Sequence, residues 1–466
     1  VHSQIDVLDN VAFGDNARIA GTPIFAGDPS ETSILDGDLS QTFRLRRLWL
    51  QFLIPIGQIR IGRQPSNGGL GLLFNDGNGF RNDFGDALDG TTYDRVLFAT
   101  RPLTIINALT RGDSRPTPLI FALAYDWLAE DTLGVGRDPI PRRPGPFTWL
   151  TGGEDDVWQT TMVLAWNDAD FNSEVNARDE LSAGLVLVHR GQDSTSSNVW
   201  IGDFFYRLRW SAFGRRAPSL YSEGELYTIQ GTTNGVGLIG PIDPDTGRTG
   251  MQGGANIWGG AARLGVESAE NAWSVPNQSN GRTGATYATW AAYLESGFST
   301  GQEGAVTAIG SYSTLTQRPN NNAYMVGLLL YPLVLAVRTA NQYTETFDAV
   351  WSGGGVWNSV YILPNIRVRP IPGLELIGQF LVAFADQLNL PLADNRDPAP
   401  ASTFCGLGEE CLLGWEADVA LKMNWGPNDE MRWSNEFGIM GAGPALGPRL
   451  QSSIVWTLQS RIAYVF

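Results

Sequence analysis

Lysine is nearly missing from this chain of 466 residues: Lys422 stands alone among 32 basic residues, and the rest are arginine. Histidine is almost as scarce, with only His2 and His189. A nucleophile–His–acid triad or a His-rich metal site needs imidazoles close together. One histidine next to the first residue and one at the end of a strand-like segment leave little to build either. There are two cysteines, Cys405 and Cys411, and no CxxC redox motif. A basic surplus is absent too: the net charge is -16, which excludes nucleic acid as a partner, because phosphate binding needs a basic surface. Long apolar runs are missing as well. The longest, Val326–Val337 ("VGLLLYPLVLAV"), is broken by Pro332 and is shorter than the ~18 residues a membrane helix needs. The chain opens on "VHSQIDVLDN", without Met and without a leader pattern, so a cleaved leader is an open expectation.

Glycine, aromatics and period-two alternation are abundant. The chain has 55 Gly and 16 Trp, and only 17% of its residues are charged. In "PLIFALAYDW", Leu119, Phe121, Leu123, Tyr125 and Trp127 share one face, while Ala122, Ala124 and Asp126 share the other. "GLELIGQFLVAFADQ", "LLGWEADVALKMNW", "VYILPNIRVRP" and the terminal "SSIVWTLQSRIAYVF" repeat the pattern. Tryptophans sit near the ends of such segments, at Trp127, Trp158, Trp166, Trp200, Trp210, Trp415 and Trp425. Segments of ~9–11 residues with one greasy face and aromatic ends suit a tilted membrane strand. Only helices and closed barrels satisfy their backbones in lipid, and no helix is available.

The expected fold is all-β: one transmembrane antiparallel up-and-down β-barrel over 1–466. Its strands are expected near 2–12, 42–54, 57–64, 94–101, 118–127, 157–166, 180–190, 198–210, 217–229, 253–267, 285–298, 356–370, 373–387, 412–425, 430–441 and 453–466. That gives 16 strands, or 18 if 322–340 adds a hairpin rather than packing on or inside the barrel. Short turns at Pro55–Gly57, Arg369–Leu374 and Gly426–Glu430 mark one end, expected to be periplasmic. Long loops near 14–40, 65–93, 129–155, 231–250, 299–355 and 388–410 mark the other, expected to be extracellular. Two places resist the pattern. Arg44, Arg46 and Arg47 in "TFRLRRLWLQFLI" cannot all face one way, and Asn435 sits on an otherwise apolar face.

The terminal strand, with Phe466 last and Tyr464, Ile462 and Leu458 in step, resembles the C-terminal strand of Gram-negative outer-membrane barrels. That resemblance implies an outer-membrane location, with lipid and lipopolysaccharide as surroundings. It also implies that Phe466 and Tyr464 form a signal read by the barrel-assembly machinery. The stretch "FRLRRLWLQFLIPIGQIRIGRQPSNGGLGLLFNDGNGF" resembles the early hairpin of porin-like and alginate-export-like proteins. Closure requires the last strand to pair with the first, near Gln4–Phe13.

Projecting the strands inward places Arg60, Arg95, Arg101, Asp126, Arg207, Arg209, Glu223, Glu225, Arg263 and Glu295 in the pore. Further along the chain it adds Arg367, Arg369, Glu375, Glu416, Asp418, Lys422, Arg432, Glu436 and Arg461. Arg or Lys on the lipid face would cost up to ~2–4 kcal/mol at mid-bilayer, so these residues are assigned to water. Two outcomes stay open: opposed charged walls with a field across the pore, or pairing between neighbouring strands. Glu223/Glu225 and Glu416/Asp418 have the spacing of paired catalytic carboxylates, and equally of a wet wall. No catalytic residue, metal ligand or cofactor is assigned. Calcium at the Asp/Asn-rich Asn75–Asp86 remains an option, although the spacing is not that of an EF-hand. Cys405 and Cys411, in a loop exposed to an oxidising compartment, are expected to form one staple. The expected function is a diffusion porin for small polar solutes or ions. Alternatives are a channel for an anionic polysaccharide, drawn by Arg44, Arg46, Arg47, Arg60, Arg63, Arg95 and Arg101, or an anchor whose loops bind a partner. A homo-oligomer is also possible.

Overall fold

The structure is a computed structural model. It describes residues 1–7, 43–77, 82–85, 90–127, 157–168, 171–172, 174, 179–192, 197–214, 217–233, 253–269, 289–301, 314–335, 354–388, 403–405, 407–426, 430–446 and 450–464. The expected loops at 14–40 and 129–155, most of those at 231–250 and 388–410, and Phe466 lie outside these residues.

Eleven strands follow one another as antiparallel neighbours: β1 (His2–Val7), β2 (Phe43–Ile54), β3 (Gly57–Pro65), β4 (Thr92–Thr100), β5 (Leu119–Trp127), β6 (Val157–Asp168), β7 (Glu180–Gln192), β8 (Ser197–Trp210), β9 (Ser219–Thr233), β10 (Gly253–Glu267) and β11 (Trp290–Ser299). The two-residue β12 (Thr314–Leu315) lies parallel to the start of β10. The meander resumes with β13 (Ser359–Ile371) and β14 (Leu374–Ala385). A small separate hairpin, β15 (Gln387–Leu388) with β16 (Thr403–Phe404), precedes β17 (Leu412–Trp425), β18 (Met431–Ala442) and β19 (Ile454–Tyr464). Among the described residues the meander thus has the sixteen strands expected, and 322–335 adds none. Among the described residues, no registered pair joins β1 to β19; β1 pairs with β2.

The alternation read from the sequence is the alternation of the two faces. On β5, Ala122, Ala124 and Asp126 are buried, and Leu123, Tyr125 and Trp127 are exposed. On β13 and β14, Tyr361, Asn365, Ile377, Gln379 and Ala383 point in, and Ile362, Ile366, Leu376 and Phe380 point out. Trp127, Trp158, Trp200 and Trp415 ring the outer face at the loop end, and Trp166, Trp210, Trp290 and Trp425 ring it at the turn end.

Bulges explain two breaks in the pattern. The β1–β2 register shifts between Gln4 and Ile5, so Gln4 opposes Arg47 while Ile5 opposes Leu45. Arg46 is the extra residue of the ladder. The second bulge corrects an expectation. Period-two alternation in "LLGWEADVALKMNW" puts Leu413 on the outer face with Trp415, but Leu413 is buried, because the β14–β17 register skips it between Leu412 and Gly414. Asn435 does face outward, opposite Ser460, and its amide nitrogen has no partner.

The core is inside the rolled sheet rather than between layers. Its cluster joins Leu72, Leu73, Phe74 and Phe84, and Tyr324, Val326, Leu328, Leu329, Leu330, Tyr331 and Leu335, to inward wall residues such as Ile257, Tyr361, Leu381 and Met440. No helix of the described residues is long and apolar enough to cross a membrane. The one α-helix among the described residues, α1 (Pro102–Arg111), sits in the β4–β5 turn; Pro at its start and Gly112, left-handed at φ 66°, mark its ends.

Candidate functional site: a chamber between two infolded loops

Two loops turn inward, and each presents a similar short sequence to a wall carboxylate. The β3–β4 loop carries "LGLLF" at Leu70–Phe74; the β12–β13 loop carries "VGLLLY" at Val326–Tyr331. In both, the glycine is left-handed, with φ 91° at Gly71 and 74° at Gly327. Successive backbone N–H groups around such a residue form a concave nest that binds an anion. In the first loop, Gly71, Leu72 and Leu73 donate to the Glu225 carboxylate at 2.8, 3.1 and 3.2 Å. In the second, Leu328, Leu329 and Leu330 donate to Glu416 at 2.5, 2.8 and 2.8 Å. A Cβ on Gly327 would sit 2.8 Å from Glu416 Oε1, which is why glycine is needed there.

The β3–β4 loop has further tethers. Gly85 N donates to Glu436 at 2.8 Å, Lys422 Nζ donates to Asn82 O at 2.9 Å, and Arg47 donates to Asp76 O. Asp83 receives Arg367, the Tyr293 hydroxyl and, at 3.2 Å, Asn365 Nδ2. This one loop therefore touches β2, β9, β11, β13, β17 and β18, and so spans the interior from wall to wall. The two loops also touch each other, through Asn321 N to Leu72 O at 2.7 Å and Asn82 Nδ2 to Ala323 O at 3.0 Å. Burial pushes the Asp83 carboxyl up, but the Arg367 and Arg263 guanidinium groups, the Tyr293 hydroxyl and Lys422 outweigh it, so Asp83 stays well below the ordinary carboxylate range.

Between the two loops and the wall lies a polar chamber of about 530 Å³. Its wall is a chain of charges on adjacent strands. Arg207 Nε meets Glu223 at 3.0 Å, Arg263 Nη1 meets Glu223 at 3.0 Å, and Arg263 Nε meets Glu295 at 2.5 Å. Tyr324 and Tyr361 donate to Glu295 at 2.7 and 2.6 Å. Arg263 stands over the Tyr293 and Tyr324 rings, 5.4 and 5.6 Å from their centroids.

The predicted pore residues divide into groups. Asp126, Arg207, Arg209, Glu223, Glu225, Arg263, Glu295, Arg367, Arg369, Glu375, Glu416, Asp418, Lys422, Arg432, Glu436 and Arg461 occupy inward positions of their strands, as do Arg60 and Arg95. Their surroundings correct the expectation of open water. Asp126, Glu223, Glu225, Glu295, Glu416, Asp418 and Glu436 are each at most 3% exposed, covered by the infolded loops or by neighbouring side chains. Arg101 is corrected more strongly: it lies beyond β4 at the start of α1, where Nη1 donates to Thr117 O at 2.5 Å. The early arginine group is not one patch. Arg63 pairs with Asp94 on the outer face, and Arg95 pairs with Asp126 inside. Instead of opposed walls, the charges pair across strands and are ordered along the axis. Asp203 precedes Arg207 and Arg209 toward the turn end of β8, and Glu416 and Asp418 precede Lys422 on β17. Sequence reading missed the two nests; their only signal was the repeat of Gly-Leu-Leu in two long loops. Cys405 and Cys411 are bonded to each other. Among the described residues, no cluster of acidic, His or Cys side chains could hold a metal, and Asn75 and Asp83, from the stretch considered for calcium, bond to Gly77 N and Arg367.

No family model and no curated protein matches the chain. Among solved structures it is similar to Pseudomonas aeruginosa OpdK crystallised with vanillate, at 11% identity over 91% of this chain and 79% of that one, with TM-score 0.44. It is also similar to Pseudomonas aeruginosa OccK5 (OpdH), at 10% identity over 91% and 82% with TM-score 0.43, and to OccK8 (OprE) of the same organism, at 8% over 89% and 80% with TM-score 0.42. At these values the likeness assigns no activity, and the residues of this chain decide its reading.

Proposed function

We propose that this chain is an outer-membrane channel that passes small polar solutes by passive diffusion, narrowed by the two infolded loops. The observation that carries this is the sorting of the strands' two faces. Leucine, isoleucine, valine and aromatic side chains are exposed around the outside, between rings of tryptophan, while the inner wall holds the charges and encloses a polar chamber. A continuous apolar belt of that size is costly in water and suits lipid. The chemistry is that of a conduit. His2 stacks on Trp49, and His189 is stacked on Trp200 on the outer face, so neither imidazole reaches the chamber carboxylates.

The test is single-channel recording in planar bilayers with detergent-purified protein. Discrete, lasting conductance steps are expected. Folded, membrane-inserted protein that gives no steps and no solute flux would favour an anchor that presents its loops to a partner.

A further inference from the structure

The charges at the chamber are held in pairs. Arg207 and Arg263 line it with Glu223, Glu295 and Asp83; Glu223 and Glu295 meet the two lining arginines, and Asp83 is paired with Arg367, which stands behind the lining. A carboxylate solute entering here meets no cation that is not already held by a wall carboxylate. An ammonium solute likewise meets no carboxylate without an arginine. An ammonium would have to shed water and displace a partly buried pair to gain a carboxylate, and a solute carboxylate finds at Arg207 only a guanidinium whose charge Glu223 already offsets.

The same wall still offers hydrogen bonds of both kinds. Arg207 uses only Nε in its pair with Glu223, and its side chain is 46% exposed, so its terminal N–H groups face the chamber. Asn67, Asn75 and Gln379 add amides to the lining, and Glu223 and Asp83 add acceptor oxygens. A carboxylate only accepts and an ammonium only donates, whereas a hydroxyl does both. A wall of interleaved donors and acceptors whose charges are already held in pairs therefore matches a solute rich in hydroxyls. The volume, about 530 Å³, lies in the range that encloses one small organic molecule.

We infer that the chamber is a selectivity site for neutral polyhydroxylated solutes of mono- to disaccharide size, and that it disfavours organic anions and cations of the same size. This rests on the channel reading above and deepens it.

The test is solute flux into proteoliposomes, with glucose and sucrose compared with gluconate and with arginine, alongside potassium chloride conductance as a check that the pore is open. Glucose flux above gluconate and arginine flux is expected, together with transient block of the ion current by millimolar sugar. Glu223→Gln frees Arg207 and should raise gluconate flux relative to glucose by at least about tenfold. Arg207→Gln, at a half-exposed side chain, should shift the ratio the other way, toward arginine. A conducting wild-type channel in which gluconate or arginine outruns glucose overturns the inference and leaves the channel intact. So does a folded Glu223→Gln protein with unchanged ratios. Absence of both conductance and flux removes the channel reading itself, and the inference with it. The wild-type panel decides the matter even if a variant fails to fold.

Discussion

The two infolded loops solve one problem with the same device and differ in what else holds them. Each places a left-handed glycine and two or three leucine N–H groups around a buried wall glutamate, Glu225 on β9 or Glu416 on β17. Beyond its nest, the β3–β4 loop buries Leu72, Leu73, Phe74 and Phe84 and adds polar tethers at Asp76, Asn82, Asp83 and Gly85. The β12–β13 loop buries a continuous run instead: Leu328, Leu329, Leu330 and Tyr331 are at most 4% exposed, and the segment Leu330–Leu335 is a turn of π-helix. An inward loop must satisfy backbone groups that water would otherwise serve. A carboxylate that accepts three N–H groups at once does this with a single side chain. The comparison implies that charge-removing changes act mainly on the first loop, and that nest-removing changes act on both.

The largest effect is expected from removing both nests. Glu225→Ala with Glu416→Ala leaves two sets of buried donors without acceptors, each costing on the order of 3 kcal/mol. Conductance should rise several-fold and become noisy as the loops leave the interior, while the strand signal in circular dichroism persists. Of the single variants, Glu416→Ala should open the pore more, because the first loop keeps its other tethers when Glu225 is lost. Equal conductance of both single variants and wild type would show that the nests are incidental to the constriction.

Next comes Asp83→Asn, which removes one charge from the first loop only. The tether to Arg367 is partly buried, and its loss should cost about 2 kcal/mol. The sign of its pH dependence is set by the depressed carboxyl. A carboxylate held below its unfolded value stabilises at pH above that value, and the contribution is lost as pH falls through the folded one. The difference in melting temperature between wild type and Asp83→Asn should therefore be constant from pH 5 to 8 and shrink only below about pH 4. A difference that already disappears at pH 6 would mean that Arg367 does not hold Asp83 in the folded protein.

Smaller again is the replacement of Gly327. Alanine at φ 74° is strained, and its Cβ would stand 2.8 Å from Glu416 Oε1, so about 1–2 kcal/mol should be lost with the nest otherwise present. At Gly71 the nearest atom to a new Cβ is Nδ2 of Asn75, the end of a side chain that can turn away, so Gly71→Ala should cost less. The reverse order, read from urea or thermal midpoints, would mean that side-chain crowding at Asn75 outweighs the carboxylate at Glu416.

Most of the wall was legible because a strand's period is two and a membrane-like outer face enforces it: Val360, Ile362, Ile366 and Val368 point out, and Arg367 and Arg369 point in. The exceptions are register slips. Leu413 and Arg46 sit at bulges, and nothing in a single sequence marks where a ladder will skip a residue. The interior was less legible. Alternation gives the direction of Glu416 but not its partner, which lies 86–88 residues away on a loop whose apolar run suggested a hairpin as readily as a plug. Arg101 was misplaced because the β4 pattern runs on in sequence past Thr100, where Pro102 starts a helix.

The smallest effect is expected at the disulfide, and it tests whether the nests stand by themselves. Cys405 and Cys411, six positions apart, close a turn between β16 and β17, with Cα atoms 5.7 Å apart. Cys405 N also bonds to Asp386 O at 2.9 Å, which ties that turn to the end of β14 rather than to either infolded loop. Constraining so short a segment stabilises it by about 2–3 kcal/mol in the chain-entropy model. That stabilisation is local, because the wall strands are already ordered by their ladders. Reduction should therefore speed amide exchange at Leu407–Leu412 by up to about thirtyfold, the factor that ~2 kcal/mol represents. The amides of Gly71–Leu73 and Leu328–Leu330 should exchange as before, and the melting temperature of the strands should barely move. Faster exchange at Leu328–Leu330 on reduction would show that the staple reaches Glu416 through the first residues of β17. The two nests would then differ in kind, one free-standing and one dependent on a covalent brace five residues before its carboxylate.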